Sequence, residues 1–373
     1  MVDRRGRLNG SRTKVLLPLL LVSLVGLSAW RLWPREPQAL TGVAPDTAPS
    51  MTFSGPTMGT TYKVTVVGAL GEAEQRGIED LIAGELAEVD RQMSTWRPDS
   101  EISRFNASSE LVPFPASRGL LEVVQTAREI SEASGGAFDA TVTPLIAAWG
   151  FGPGGRKQAE PTDAEIAALR SQIGWSGVRV DLTAGTLQKD RPALTLELSA
   201  IAPGYAADRI AAGLRAKGHA RFLVDVGGEM LASGLAAHGG PWRLGIERPD
   251  SSGGVVQDLV LAQDQALATS GDYRNYYERD GVRISHTIDP RTGRPIAHAL
   301  ASVSVLHSTA ALADGWATAL NVLGPDDGLA LARSHNLPAL FLVRSPGGGF
   351  EERLTPAFAA LRPAARAVNL SQP

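Results

Sequence analysis

The sequence predicts an α+β fold, with mixed or mainly antiparallel sheets and packed helices, preceded by one N-terminal membrane segment. Three observations carry this. Strand-like runs follow one another in hairpin-like pairs with helices between only some of them, unlike the regular alternation of a doubly wound parallel sheet. The 40 glycines and 24 prolines among 373 residues require many turns. An uncharged apolar run follows a basic N-terminal head.

In chain order, residues 1–14 carry Arg4, Arg5, Arg7, Arg12 and Lys14 and form the head. Val15 to Trp30 is uncharged, and its 16 residues fall short of the roughly 20 that a free-standing membrane helix needs. The run is also slightly long for a signal-peptide core. Residues 15–33 are therefore read as an uncleaved signal anchor, with a cleaved signal peptide as the alternative. Either keeps the basic side in the cytoplasm and exports the rest. Residues 34–50, with Pro34, Pro37, Pro45 and Pro49 among small residues, read as a linker, and 51–373 as the folded domain.

Within that domain Thr61 to Val67 is a strand. Ile78, Leu81, Ile82, Leu86, Val89 and Met93 recur at helical spacing and mark a buried stripe. A second helix runs from Ser117 to Ser134 and ends at Gly135-Gly136. Thr162 and Glu165 make a capping box for a third. Strands are expected at Val178–Asp181, Thr186–Lys189 and Leu194–Leu198. Pro203 opens a helix to about Lys217, at a position that tolerates its missing N–H. Phe222–Val226 is a buried strand closed by Gly227-Gly228. Further strands fall near Trp242–Ile246, Val255–Ala262, Ala266–Ala268, Val282–Ser285, Ser302–Leu306 and Ala339–Val343. The last prominent helix runs from Ser308, as its cap, to Leu323, stopped by Gly324-Pro325.

That last helix has two faces. Leu312, Trp316, Leu320 and Leu323 form an apolar stripe, and Asp314, Thr318 and Asn321 fall opposite it. Spacing leaves two meanings open for the polar side. It is a solvated face, or Asp314 and Thr318 are hard oxygen ligands for Mg²⁺ or Ca²⁺.

Composition narrows the function. The first 35 residues carry seven Lys/Arg against one Asp, so with a total charge of −3 the remainder stands at −9. An acidic body does not fit general nucleic-acid binding, which uses clustered cations. With no cysteine, disulfides, thiolate metal sites, a Cys nucleophile and a lipid-bearing N-terminal Cys are excluded. The run Gly152-Pro153-Gly154-Gly155-Arg156-Lys157 lacks the spacing and the Ser/Thr of a P-loop. Six scattered histidines do not suggest a His-rich metal site. What remains is Met58-Gly59-Thr60 before the first strand, Gly136-Ala137-Phe138-Asp139 after a helix end, and Ala202-Pro203-Gly204-Tyr205 at a helix start. To these are added Ser270-Gly271-Asp272 after a strand, and His286 and Asp289 beside a turn closed by Gly293. Each alone is more often an ordinary turn or cap than a ligand contact.

Together these segments resemble a family. MGTTYKV, MSTWRPDSEISRFN, GAFDATVTPLIAAWGFG, APGYAAD, VDVGGEM, ATSGDY, HTIDPRTGRPI and ADGWATALNVLG stand in the order seen in FAD:protein FMN transferases, the ApbE-type flavin transferases. The resemblance spans about Phe53 to Phe358. It implies a T-fold-like α+β architecture and Mg²⁺-dependent transfer of the FMN half of FAD to a Ser or Thr of an exported or membrane redox protein, releasing AMP. It implies metal ligation by Asp314, Thr318 and the backbone oxygens of Ala202 and Ala317. Contacts to FAD would come from Met58, Trp96, Ala137, Phe138, Asp139, Ser199, Tyr205 and Ile288, and His286 would be the candidate base. The expected partners are FAD, an acceptor protein and the membrane, without nucleic acid. The expected location is the bacterial inner membrane, catalytic domain toward the periplasm. Two departures stand out: Pro203 replaces a common Lys, and Glu197-Leu198-Ser199 replaces Asp-Leu-Gly. A hydrolase giving FMN and AMP, and a non-catalytic FAD-binding protein, are the rival expectations.

Overall fold

The computed structural model describes residues 47–151, 159–249, 256–272, 276–279 and 282–362. The basic head, the apolar run, most of the linker and the Gly152–Lys157 segment lie outside them. Among the described residues, no helix is long and apolar enough to cross a membrane.

An eight-stranded sheet organises the domain, and every neighbouring pair in it is antiparallel. Its order is Ser50–Thr57, Thr60–Val67, Phe222–Val226, Glu229–Ser233, Gln265–Gly271, Leu300–His307, Ala339–Arg344 and Phe350–Leu354. Ser50–Thr57, for which the sequence predicts no strand, pairs along its whole length with Thr60–Val67. Successive side chains of a strand point to opposite faces, and here both faces are covered. Ala266, Ala268, Val303 and Val305 enter the main core beneath the helices. Leu267, Leu306, Leu340 and Leu342 enter a second core with Trp242, Ile246 and Phe358. The hairpin Trp242–Glu247/Val256–Ala262 contributes to that second layer.

The Glu72–Met93 helix buries Ile78, Ile82, Leu86, Val89 and Met93, as their spacing predicts. The expected capping box at Thr162 is formed in both directions. Two expectations are corrected. Leu194–Leu198 joins no strand ladder; its leucines are buried, but Asn106 Nδ2 donates to the Leu196 carbonyl at 2.8 Å and Asn106 Oδ1 accepts the Leu196 N–H at 2.7 Å. One side chain thus satisfies the backbone groups that a neighbouring strand would otherwise take.

The second correction concerns the cap of the last prominent helix, which begins at Ala310. Its cap is Thr309, whose hydroxyl accepts the Leu312 N–H at 3.3 Å. As expected, the helix stops at Gly324, whose φ of 81° is non-helical, and a second helical stretch opens at Pro325 and runs to Ser334. The start at Ala310 is fixed by tertiary contacts. Asp208, on the Ala202–Ala216 helix, accepts the N–H groups of Ala310 and Ala311 at 2.8 and 2.9 Å. The helices meet so closely that a Cβ on Gly204 would lie 2.4 Å from the Ala310 carbonyl oxygen. Only glycine allows that approach.

Candidate active site

Two adjoining cavities, of about 410 and about 510 Å³, open beside this helix pair and share Glu197, Ser199 and Pro203 in their walls. The first brings together Ala137, Phe138, Asp139, Ser199, His286, Ile288, Asp314 and Thr318. The second is bounded by Met58, Trp96, Ser199 and Ala202. Residues spread over 260 positions of sequence therefore meet at one place, from Met58 to Thr318. Tyr205 and Ala317 line neither cavity. The Tyr205 hydroxyl instead donates to Glu122 at 3.4 Å, and Ala317 is fully buried.

Asp314 is the central group. The solvated-face alternative does not hold, since Asp314 is 6% exposed and Asn321 is 1% exposed. The Asp314 carboxylate accepts one N–H, from Gly204 at 3.3 Å, and among the described residues no cation pairs with it. Burial pushes its pKa up to about 7, with the nearby Asp208 carboxylate adding to the rise. One turn along the same helix, the Thr318 hydroxyl lies 3.2 Å from that of Ser270 at the end of its strand. Asp314, Glu197, Glu229 and Asp139 all line the first cavity, and among the described residues no Lys or Arg joins them there. These carboxylates would repel a bound phosphate, and a cation between them would offset that repulsion. A desolvated carboxylate beside a hydroxyl fits a hard divalent ion. Among the described residues no group of three His, Asp or Glu is clustered, so hydroxyl and carbonyl oxygens would have to complete such a shell.

His286 enters the cavity from a short loop between two small ladders, Tyr276–Arg279/Val282–Ser285 and Ile288–Asp289/Arg294–Pro295. The turn beyond it is closed locally. The Asp289 carbonyl accepts the Gly293 N–H at 2.7 Å, and Arg291 grips the Asp289 carboxylate through its backbone N–H, Nε and Nη2 at 2.9 to 3.0 Å. Trp149 Nε1 donates to the Gly293 carbonyl at 2.9 Å and anchors the turn to the core. The Phe151 ring meets the imidazole edge-on, with centroids 6.3 Å apart.

The remaining walls are turns held by side chains. Met58 and Gly59 form the tight link between two strands with φ of 45° and 73°, so a non-glycine residue sits in the left-handed region at the cavity. Trp96 is 75% exposed and presents open ring surface to the second cavity. The Asp139 carboxylate accepts from Thr141 N and Oγ1 within its own turn and from Trp175 N, 36 residues on, while burial raises its pKa.

Some functional positions are not apparent from sequence. Glu197 accepts from Thr95 Oγ1 and from Ser199 N, both at 2.9 Å, and so ties together the segments that separate the cavities. Its place in a motif marks it only as a departure. Asp208 ends the APGYAAD motif and Asn321 lies within ADGWATALNVLG, but neither motif tells what they touch: Asp208 acts on backbone 102 residues away, and Asn321 has the spacing of a solvated helix face.

Comparison with known proteins identifies the family and the fold. Residues 58–341 match the ApbE family. The chain is 43% identical over 306 residues to a Vibrio cholerae protein named FAD:protein FMN transferase, covering 82% of this chain and 91% of that one. It is 38% identical over 308 residues to an Escherichia coli protein of the same name, covering 82% and 87%. Among solved structures, the flavin transferase ApbE from Vibrio cholerae has a TM-score of 0.77 at 42% identity, covering 84% of this chain and 99% of that one. The apo flavinyl transferase ApbE from Pseudomonas stutzeri has a TM-score of 0.78 at 40% identity, covering 86% and 98%.

Proposed function

The chain belongs to the ApbE family, and from that premise we propose that this FAD:protein FMN transferase moves the FMN half of FAD onto a Ser or Thr hydroxyl of an exported or membrane redox protein, releasing AMP with Mg²⁺ as cofactor. The observation that carries the proposal is the buried Asp314 carboxylate, without a cationic partner among the described residues, in an acidic cavity that also holds His286.

Asp314 and Thr318, with the carbonyl oxygens of Ala202 and Ala317, would hold the ion. Bound there, Mg²⁺ would offset charge on the phosphate oxygens. The chain's own residues supply position and proton transfer. Trp96 and Met58 offer surface for a ring in the second cavity, and Phe138 and Ile288 do so in the first. Glu197 keeps the two binding segments in register. His286 takes the proton of the acceptor hydroxyl as its oxygen bonds to the FMN phosphorus. The pyrophosphate P–O bond breaks, and AMP leaves with that electron pair. Such transfer depends mainly on alignment and charge neutralisation.

Incubation with FAD and Mg²⁺, with and without an acceptor domain, tests this. Covalent flavin on the acceptor and stoichiometric AMP are expected. FMN and AMP released equally without acceptor would make the protein a pyrophosphatase, and binding without turnover would make it a carrier. We further propose that residues 15–33 anchor the domain at the periplasmic side of the inner membrane, on the strength of the basic flank and apolar run. A periplasm-dependent reporter fused after Gln38 should be active, and activity of a cytoplasm-dependent reporter there would overturn the topology.

A further inference from the structure

Asn321 stands seven residues beyond Asp314 on the same helix face, a rise of about 10 Å. It lines the first cavity yet is almost wholly buried. Its backbone carbonyl lies 2.9 Å from His298 Nε2, and its Nδ2 donates to Thr287 Oγ1 at 3.4 Å. Its Oδ1 has no partner among the described residues. Buried amide oxygens nearly always have a donor, so a fixed and unmatched acceptor in a cavity wall marks a place where a ligand can supply one.

The surroundings narrow the donor. Ile288, Val322 and Ile146 share the wall and offer flat hydrocarbon surface, which suits a planar ring better than a hydroxyl-rich sugar. The distance from Asp314 matches a ring edge beyond a sugar linker, if the phosphates lie at Asp314. We propose that Asn321 is a specificity-determining residue whose side-chain oxygen accepts an N–H from a heteroaromatic ring of the bound dinucleotide. This rests on the reading that the cavity takes FAD. Two ring edges carry that chemistry, the adenine amine and the flavin imide. A site built to accept such an N–H discriminates strongly against an analogue that lacks it.

Calorimetric titrations of the full chain in Mg²⁺ test the assignment with two ligand pairs. One is AMP against purine riboside 5′-monophosphate, which lacks the amine. The other is FMN against its N3-methyl derivative, which lacks the imide proton. The wild type should bind one analogue at least tenfold more weakly than its parent, and Asn321→Leu should erase that difference. Discrimination within the first pair assigns the adenine, and within the second the flavin. Equal affinities in both pairs overturn the proposal, as does discrimination that survives in Asn321→Leu. If that variant does not fold, Asn321→Ser replaces it, and absence of discrimination by the wild type alone is already decisive. A wild type that binds none of FAD, AMP and FMN would overturn the functional reading itself and this assignment with it. A wild type that binds FAD but does not discriminate overturns only the role of Asn321.

Discussion

Replacing Asp314 with asparagine should make the metal-free protein more stable while abolishing transfer. Asparagine keeps the shape and an acceptor for the Gly204 N–H, but it removes a charge buried with one hydrogen bond. The Asp314 pKa rises from an ordinary 3.8 to about 7 in the fold. At 1.36 kcal/mol per unit, that corresponds to a penalty on the order of 4 kcal/mol once the group is ionised. The sign follows from proton binding. Between pH 4 and 7 the folded carboxyl holds a proton that the unfolded one has lost, so wild-type stability falls as pH rises through that window. The advantage of Asp314→Asn should therefore be small at pH 4 and full at pH 8. At about 2 °C per kcal/mol for a domain of this size, its Tm in EDTA at pH 8 should exceed that of the wild type by about 8 °C. Saturating Mg²⁺ should raise the wild-type Tm, by the equivalent of about 3 kcal/mol at one hundred times Kd, and leave the variant unchanged. Thermal unfolding at the two pH values, with Mg²⁺ or EDTA, measures all four terms. A variant less stable than wild type in EDTA at pH 8, or one with the same Mg²⁺ response, would refute the reasoning.

Three further outcomes follow from other parts of the site. His286→Ala should bind FAD normally but lose about 10²–10⁴-fold in single-turnover transfer; a defect confined to FAD affinity would return His286 to a structural role. Gly204→Ala should destabilise the domain by about 1–3 kcal/mol, because its methyl group meets the Ala310 carbonyl, and urea unfolding at wild-type stability would show that the helices can separate freely. Lys189 is buried with its ammonium donating to the carbonyls of Phe105, Asn106, Pro192 and Leu194 at 3.2 to 3.4 Å; Lys189→Met should cost about 1–3 kcal/mol by leaving these oxygens short of a donor, and an unchanged urea midpoint would count against that network.

What the sequence determined by itself is what local chemistry fixes. The helix of Glu72–Met93, the capping box at Thr162, the Pro203 helix start and the turn closed by Gly293 were all legible, because periodicity, caps and turn residues act within a few positions. The site residues were legible only through ordered motifs shared with a family, since spacing left Asp314 and Thr318 divided between solvent and metal. The tertiary structure removed the solvated reading by burying Asp314 against Gly204 and Asp208. It also turned Leu194–Leu198 from a strand into a segment held by Asn106, and moved the cap of the long helix to Thr309 under the Asp208 carboxylate. Each of these depends on a partner about 90 to 110 residues away. No local pattern encodes such a partner, because burial and the satisfaction of buried polar groups are properties of the packed chain.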